Sequence, residues 1–166
     1  MDGPLGRLFA FVLGLLALIG VTVAGYYGFQ AYRANSVVEG MTMLQTNITT
    51  LYTQANTGYA TLTTGNIPTL ITQQVFPPNW VRGQAAVDPW GNNVTLTSAN
   101  NSTQGVIQIG GGGSENVNTC SKVVMGLSNY VQLAVGGTTF TQAAPPDPIA
   151  AGKACANTPT IAMTFQ

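Results

Sequence analysis

Cys120 and Cys155 are the only two cysteines in a chain of 166 residues that contains no histidine. Without histidine there is no imidazole for general acid–base catalysis, no His ligand for a metal and no Ser-His-Asp triad. Two thiols are too few for a zinc site. An even count in a chain with an export-like segment favours a disulfide, with two separate buried thiols as the alternative. A disulfide closing that loop of about 36 residues contributes roughly 4 kcal/mol in the chain-entropy description. The five acids, Asp2, Glu39, Asp88, Glu115 and Asp147, are scattered. Glu115 and Asp147 are far from Asp88 in sequence, so no calcium-binding cluster is expected. The glycine run at 110–113 is followed by no Lys-Ser/Thr pair, which excludes a phosphate-binding loop of that kind. No catalytic residues, metal ligands or cofactors are expected, and an enzyme is disfavoured.

The composition points the same way. Only 6% of residues are charged, against roughly 25% in ordinary soluble domains, and the formal net charge is zero. Five scattered Lys and Arg residues cannot neutralise a run of phosphates, so no direct nucleic-acid contact is expected. A polar but uncharged surface lacks one defence against self-association, a feature that suits a polymer subunit.

The elements that must position these residues begin with "RLFAFVLGLLALIGVTVAGYYGFQAYR" at 7–33. Residues 8–32 carry no charge and would extend about 37 Å as a helix, against a hydrocarbon core of about 30 Å. The stretch is longer than a signal-peptide apolar region and lacks a convincing cleavage site, so it is expected to be retained. Leu8, Phe9, Phe11, Val12, Leu15, Leu16, Leu18, Ile19, Val21 and Val23 make it apolar all round. Gly14, Gly20, Gly25 and Gly28 admit two readings, close helix packing or local opening of the helix. Tyr26, Tyr27 and Tyr32 form an aromatic belt at one end.

Past Arg33 the pattern narrows to one face. Val37, Met41, Leu44, Ile48 and Leu51, with Val38 and Tyr52 alongside, follow steps of four and three. Asn35, Glu39, Thr42, Gln45, Thr46 and Thr49 fall on the other face. The spacing predicts one helix over about 8–54, about 70 Å long, whose second half packs on a head domain. "ANTGY" at 55–59 ends it, with Gly58 as a cap or turn residue. The organisation expected is an apolar helical segment, 1–33, and a head, 34–166. The head contains the amphipathic helix 34–54, a proline-broken loop 55–93, and a sheet region 94–166.

"VTLTSA" and "VIQIGG" around "NNSTQG" at 94–111 read as a hairpin. Val123, Val124, Leu127, Tyr130, Val131 and Ala134 suit a short helix. "TTFTQAAPPDPIAAG" at 138–152 reads as a proline-rich loop, and "TIAMTFQ" at 160–166 as a closing strand. "DPWG" at 88–91 is by its residues a turn before a strand. The sequons at Asn47, Asn93, Asn100 and Asn101 are unsurprising in an Asn- and Thr-rich chain.

This order of elements resembles type IV pilins, most closely the type IVb branch that includes conjugative thin-pilus pilins. "LQTNITTLYTQANTGYATLTTGNIP" at 44–68 is similar to their helix exit and αβ-loop, and "DPWGNNVTL" at 88–96 to their entry into the sheet. Cys120 and Cys155 stand where the family's disulfide-bounded C-terminal region would be. The resemblance implies an α+β fold, a long N-terminal helix packed on a small antiparallel sheet with that region at its C-terminal end. It implies a major structural subunit that waits in the bacterial inner membrane and is then assembled into a helical, extracellular homopolymer, for conjugation or adhesion. It further implies processing by a prepilin peptidase, N-terminal methylation and a dedicated assembly machinery. Met1 is the expected processed N-terminus, which puts Leu5 where the family carries a glutamate; counting from a cleavage after Gly6 puts Phe11 there. A type II secretion pseudopilin is the first alternative, disfavoured by the missing acid cluster. A single-pass anchored binding domain is the second, disfavoured because the helix continues directly into the head.

Overall fold

The computed structural model describes residues 4–55, 57–157 and 159–166, and side chains from Leu8 onward apart from that of Tyr27. Met1, the expected processed N-terminus, lies outside the described residues, as do the side chains of Leu5, Arg7 and Tyr27. Helix α1 runs Pro4–Thr53. The chain divides into two units, Met1–Arg33 and Ala34–Gln166.

In the second unit, α1 contributes Ala34, Val37, Met41, Leu44, Ile48 and Tyr52 to the core. Leu51, expected on this face, is 39% exposed. The reason is helical geometry: alternating steps of three and four average 3.5 residues, whereas the helix turns every 3.6. The stripe therefore drifts, and after Ile48 it continues at Tyr52 rather than Leu51. Gln45, expected on the polar face, is buried and donates through Nε2 to the Asn129 carbonyl at 2.7 Å.

The expected loop 55–93 contains short elements. Helix α2 spans Ile67–Thr72, preceded by a 3-10 turn at Thr64–Asn66. Pro68 lies in its first turn and starts the helix rather than breaking it. A second 3-10 turn, Pro78–Trp80, leads into the paired strands β1 (Val81–Arg82) and β2 (Ala85–Ala86). Trp80 is fully buried against α1, where a Cβ on Gly40 would collide with its indole ring.

Strands β3 (Thr95–Ala99) and β4 (Gln104–Gly110) form the expected hairpin. Helix α3 is Val117–Gly126, with Asn116 accepting from the Asn118 N–H as its cap. It stops earlier than its apolar spacing implies: Leu127 is extended, and Asn129 has φ of 59°. Past the buried Tyr130, Leu133 and Val135 are buried in alternation, as in a strand, in β5 (Gln132–Val135). Gly136 and Gly137, both at positive φ, turn the chain into β6 (Thr138–Thr141). The rest of the expected proline-rich loop holds helix α4 (Pro148–Ala154). Strand β7 (Thr160–Phe165) completes the sheet. The strand order is β3-β4-β7-β5-β6, with every pair antiparallel. The expected closing strand is therefore the middle one. Its inward residues Ile161, Met163 and Phe165 are fully buried and join one continuous core with α1 and α3.

Candidate functional site

Two features of the chain bear on function: the apolar first unit and the loops that bound the head. In the first unit, Leu8, Phe9, Phe11, Val12, Leu15, Leu16, Leu18, Ile19, Val21 and Val23 are all exposed. The helix that carries them is long and apolar enough to cross a membrane. Burying a side chain of this kind is worth roughly 1.5–3 kcal/mol, so the segment gains by contact with lipid or with protein. A Cβ placed on Gly14, Gly20, Gly25 or Gly28 would meet nothing within 4 Å. No contact inside the described chain requires those glycines. At the end of the unit the Arg33 guanidinium stands 4.7 Å from the centre of the Phe29 ring.

In the head, Cys120 and Cys155 are joined by a disulfide with a Cα–Cα distance of 5.9 Å. Cys120 lies in α3, and Cys155 caps the C-terminal end of α4. The bond ties the two helices together across a span that contains β5 and β6. Asp147 caps the other end of α4, accepting from the Ile149 and Ala150 N–H groups at 2.8 and 3.0 Å. Those two bonds hold its carboxyl below the usual carboxylate range.

A second tie was hidden by sequence distance. The Asp88 carboxylate accepts from the N–H groups of Trp90 and Asn92 through one oxygen and of Gly110 through the other. The Glu115 carboxylate accepts from the N–H groups of Gly112 and Gly113 and from the Asn92 side-chain amide. The Ser114 hydroxyl donates to the Trp90 carbonyl at 2.7 Å. Asp88 and Glu115, expected to be unrelated, thus share Asn92 and clasp the "DPWGNN" turn to the glycine-rich connection after β4. Gly110, Gly111 and Gly113 all have positive φ there, which a side chain resists. Both carboxylates are buried and engaged by amides. Among the described residues no group of three His, Cys, Asp or Glu side chains gathers as a metal site would.

Residues 31–166 match the protein family described as PilS N terminal. The chain belongs to this family. No curated protein sequence matches the chain significantly. The PilS-family chain is similar in structure to the type IV b pilin from Salmonella typhi, with a TM-score of 0.61 and 15% identity over 80% of this chain and 99% of that one. It is also similar to TcpA, a type IV pilin from Vibrio cholerae El Tor biotype, with a TM-score of 0.59 and 14% identity over 81% of this chain and 99% of that one. The PilS-family chain therefore has the type IVb pilin fold: a long N-terminal helix, an antiparallel sheet and a disulfide toward the C-terminal end.

The carboxylate clasp escaped sequence reasoning because its two acids are 27 positions apart, 88 against 115. One local signal was present, an Asx-type turn signature in Asp-Pro-Trp-Gly. A second was the acid placed just after a run of glycines, whose free N–H groups need acceptors.

Proposed function

We propose that this chain is the major structural subunit of a type IVb-like pilus. The observation that supports this most directly is the exposed, uncharged helical segment before Arg33 on a chain with the type IVb pilin fold. Before assembly that segment sits in the bacterial inner membrane. After extraction by an assembly machinery it lies in the filament core, where copies bury it against one another. A head-to-tail contact that does not close generates an open helical fibre, and the head faces neighbours and solvent. A prepilin peptidase processes the subunit and methylates its N-terminus. Conjugative transfer or adhesion is the task of the fibre. The disulfide, the clasp and the buried Gly40–Trp80 contact serve this role by holding the head rigid.

The test is electron microscopy of material sheared from cells that express the chain. Thin filaments whose mass spectrum contains this sequence are expected. Shed material that contains the chain only as monomers or membrane fragments overturns the reading.

A further inference from the structure

The two outer strands of the five-stranded sheet, β3 and β6, carry neither a charge nor a proline. Charged side chains, prolines and bulges are the usual means of keeping a sheet edge from pairing with another chain. In a chain with only 6% charged residues the edges need another guard. Along an edge strand every second residue turns its N–H and C=O away from the sheet. Leu96 of β3 is such a residue. Its N–H donates to the Thr64 hydroxyl oxygen at 3.0 Å, and the same hydroxyl donates to its carbonyl at 3.1 Å. Two residues before it, the Val94 N–H donates to the Ala86 carbonyl at 2.9 Å. On the opposite edge, Thr141 of β6 donates to the Ala144 carbonyl at 3.2 Å and accepts from the Ala144 N–H at 3.1 Å. Pro145 and Pro146 follow, with no N–H to offer a further strand. Among the described residues each edge strand keeps one outward position without such a partner, Ser98 on β3 and Thr139 on β6, and both are exposed.

The β6 edge is closed by main chain, but at Leu96 the β3 edge is closed by one side chain. A hydroxyl can accept and donate at once. Thr64 therefore does for Leu96 what the N–H and C=O of a paired strand residue would do. It stands outside the core, exposed at the start of a 3-10 turn. We propose that Thr64 is a stand-in for a missing strand, closing β3 against strand-to-strand pairing with a second copy of this chain. Heads brought close together then do not zip through their sheets, and contact between copies is left to other surfaces. A side chain that merely tied its own turn to the sheet would affect melting without hiding a pairing edge.

The experiment uses the full-length chain in detergent, which covers the apolar first unit so that association reports on the head. In dilute wild type, amide hydrogen exchange is expected to be slow at Leu96 and fast at Ser98, although both face out from the same edge. Thr64→Val keeps the branched shape and removes the hydroxyl. It is expected to speed Leu96 exchange about tenfold, as loss of a hydrogen bond implies, and to make the chain associate as concentration rises in sedimentation runs. Thr64→Ser keeps the hydroxyl and is expected to behave as wild type. Adding Ser98→Pro to Thr64→Val removes an outward N–H, which an edge strand tolerates, and is expected to abolish the association. Should Thr64→Val melt early, Thr64→Ala carries the same two readings. A wild-type Leu96 amide that exchanges as fast as that of Ser98 overturns the proposal. So does a hydroxyl-free variant that melts as wild type and stays dispersed, because Thr64 would then only tie its own turn. Association that survives Ser98→Pro also overturns it, since the contact would then lie on another surface.

Discussion

Gly105 stands directly opposite Phe165 in the β4–β7 pair, and a Cβ on Gly105 would lie 2.6 Å from the Phe165 ring. The same ring meets Tyr59 edge-on with centroids 5.6 Å apart, and Tyr59 stacks on Tyr52 of α1. The missing side chain at 105 thus lets the sheet's middle strand reach the end of α1. Gly105→Ala is expected to destabilise the head by about 1–3 kcal/mol, the range for overpacking a core. Urea unfolding of the full-length chain in detergent, followed by tryptophan fluorescence, measures it; an unchanged midpoint would show that the ring moves aside freely.

Asp88 satisfies three main-chain N–H groups while only 4% exposed. Removing it leaves buried donors without an acceptor. Asp88→Ala is expected to lower stability by about 3 kcal/mol. Glu115→Gln keeps an acceptor oxygen and is expected to have a smaller effect. Thermal unfolding by near-ultraviolet circular dichroism reads both, since Trp90 sits inside the clasp. Equal losses in the two variants contradict this ranking.

Asp147 titrates in the opposite sense to a group stabilised by protonation. Its carboxyl is held low in the folded chain by the Ala150 and Ile149 N–H groups. Its contribution is therefore fully present above the ordinary carboxylate range and disappears as pH falls through the lowered folded value. Asp147→Asn replaces the charged cap with a neutral one. Wild type is expected to be the more stable at neutral pH, and the gap should close on acidification below about pH 4. A gap that widens in acid would reverse the assignment.

Gly14 and Gly20 have open space around them within the chain. Gly20→Leu is therefore expected to leave the melting of the isolated chain in detergent undiminished, since leucine is the better helix former. In the filament proposed above the bulk would fall between helices of neighbouring subunits, so filament yield after shearing is expected to fall severalfold. Normal yield from both Gly14→Leu and Gly20→Leu would make these glycines incidental to assembly.

Much of the fold was legible where one period dominated a long stretch. The apolar run before Arg33 and the Val37, Met41, Leu44, Ile48 stripe marked α1, and the alternation at 94–111 marked the β3–β4 hairpin. Legibility failed where two periods overlapped or where capping mattered more than pattern. Leu127, Tyr130 and Ala134 mimic a helix, yet the chain is already extended at Leu127 and left-handed at Asn129, and Leu133 and Val135 alternate instead. Helix α4 was obscured by its prolines, although Asp147 followed by Pro148 is a start signal for a helix. The clasp was missed because Asp88 and Glu115 are far apart in sequence; the Asx-type turn and the acid after the glycine run each marked only one half of it. The position of β7 was beyond local reading altogether, since strand order is decided by packing across the whole head.

That position has a consequence for the timing of synthesis. Strand β7 follows every other strand in the chain, yet it lies between β4 and β5. Until it emerges, the chain holds two separate hairpins, each with an open edge, and its long-range pairings must wait. A partly synthesised head therefore cannot close early around an incomplete sheet. Chains interrupted before Thr160 keep those edges exposed as marks of an unfinished product, open to proteases and chaperones.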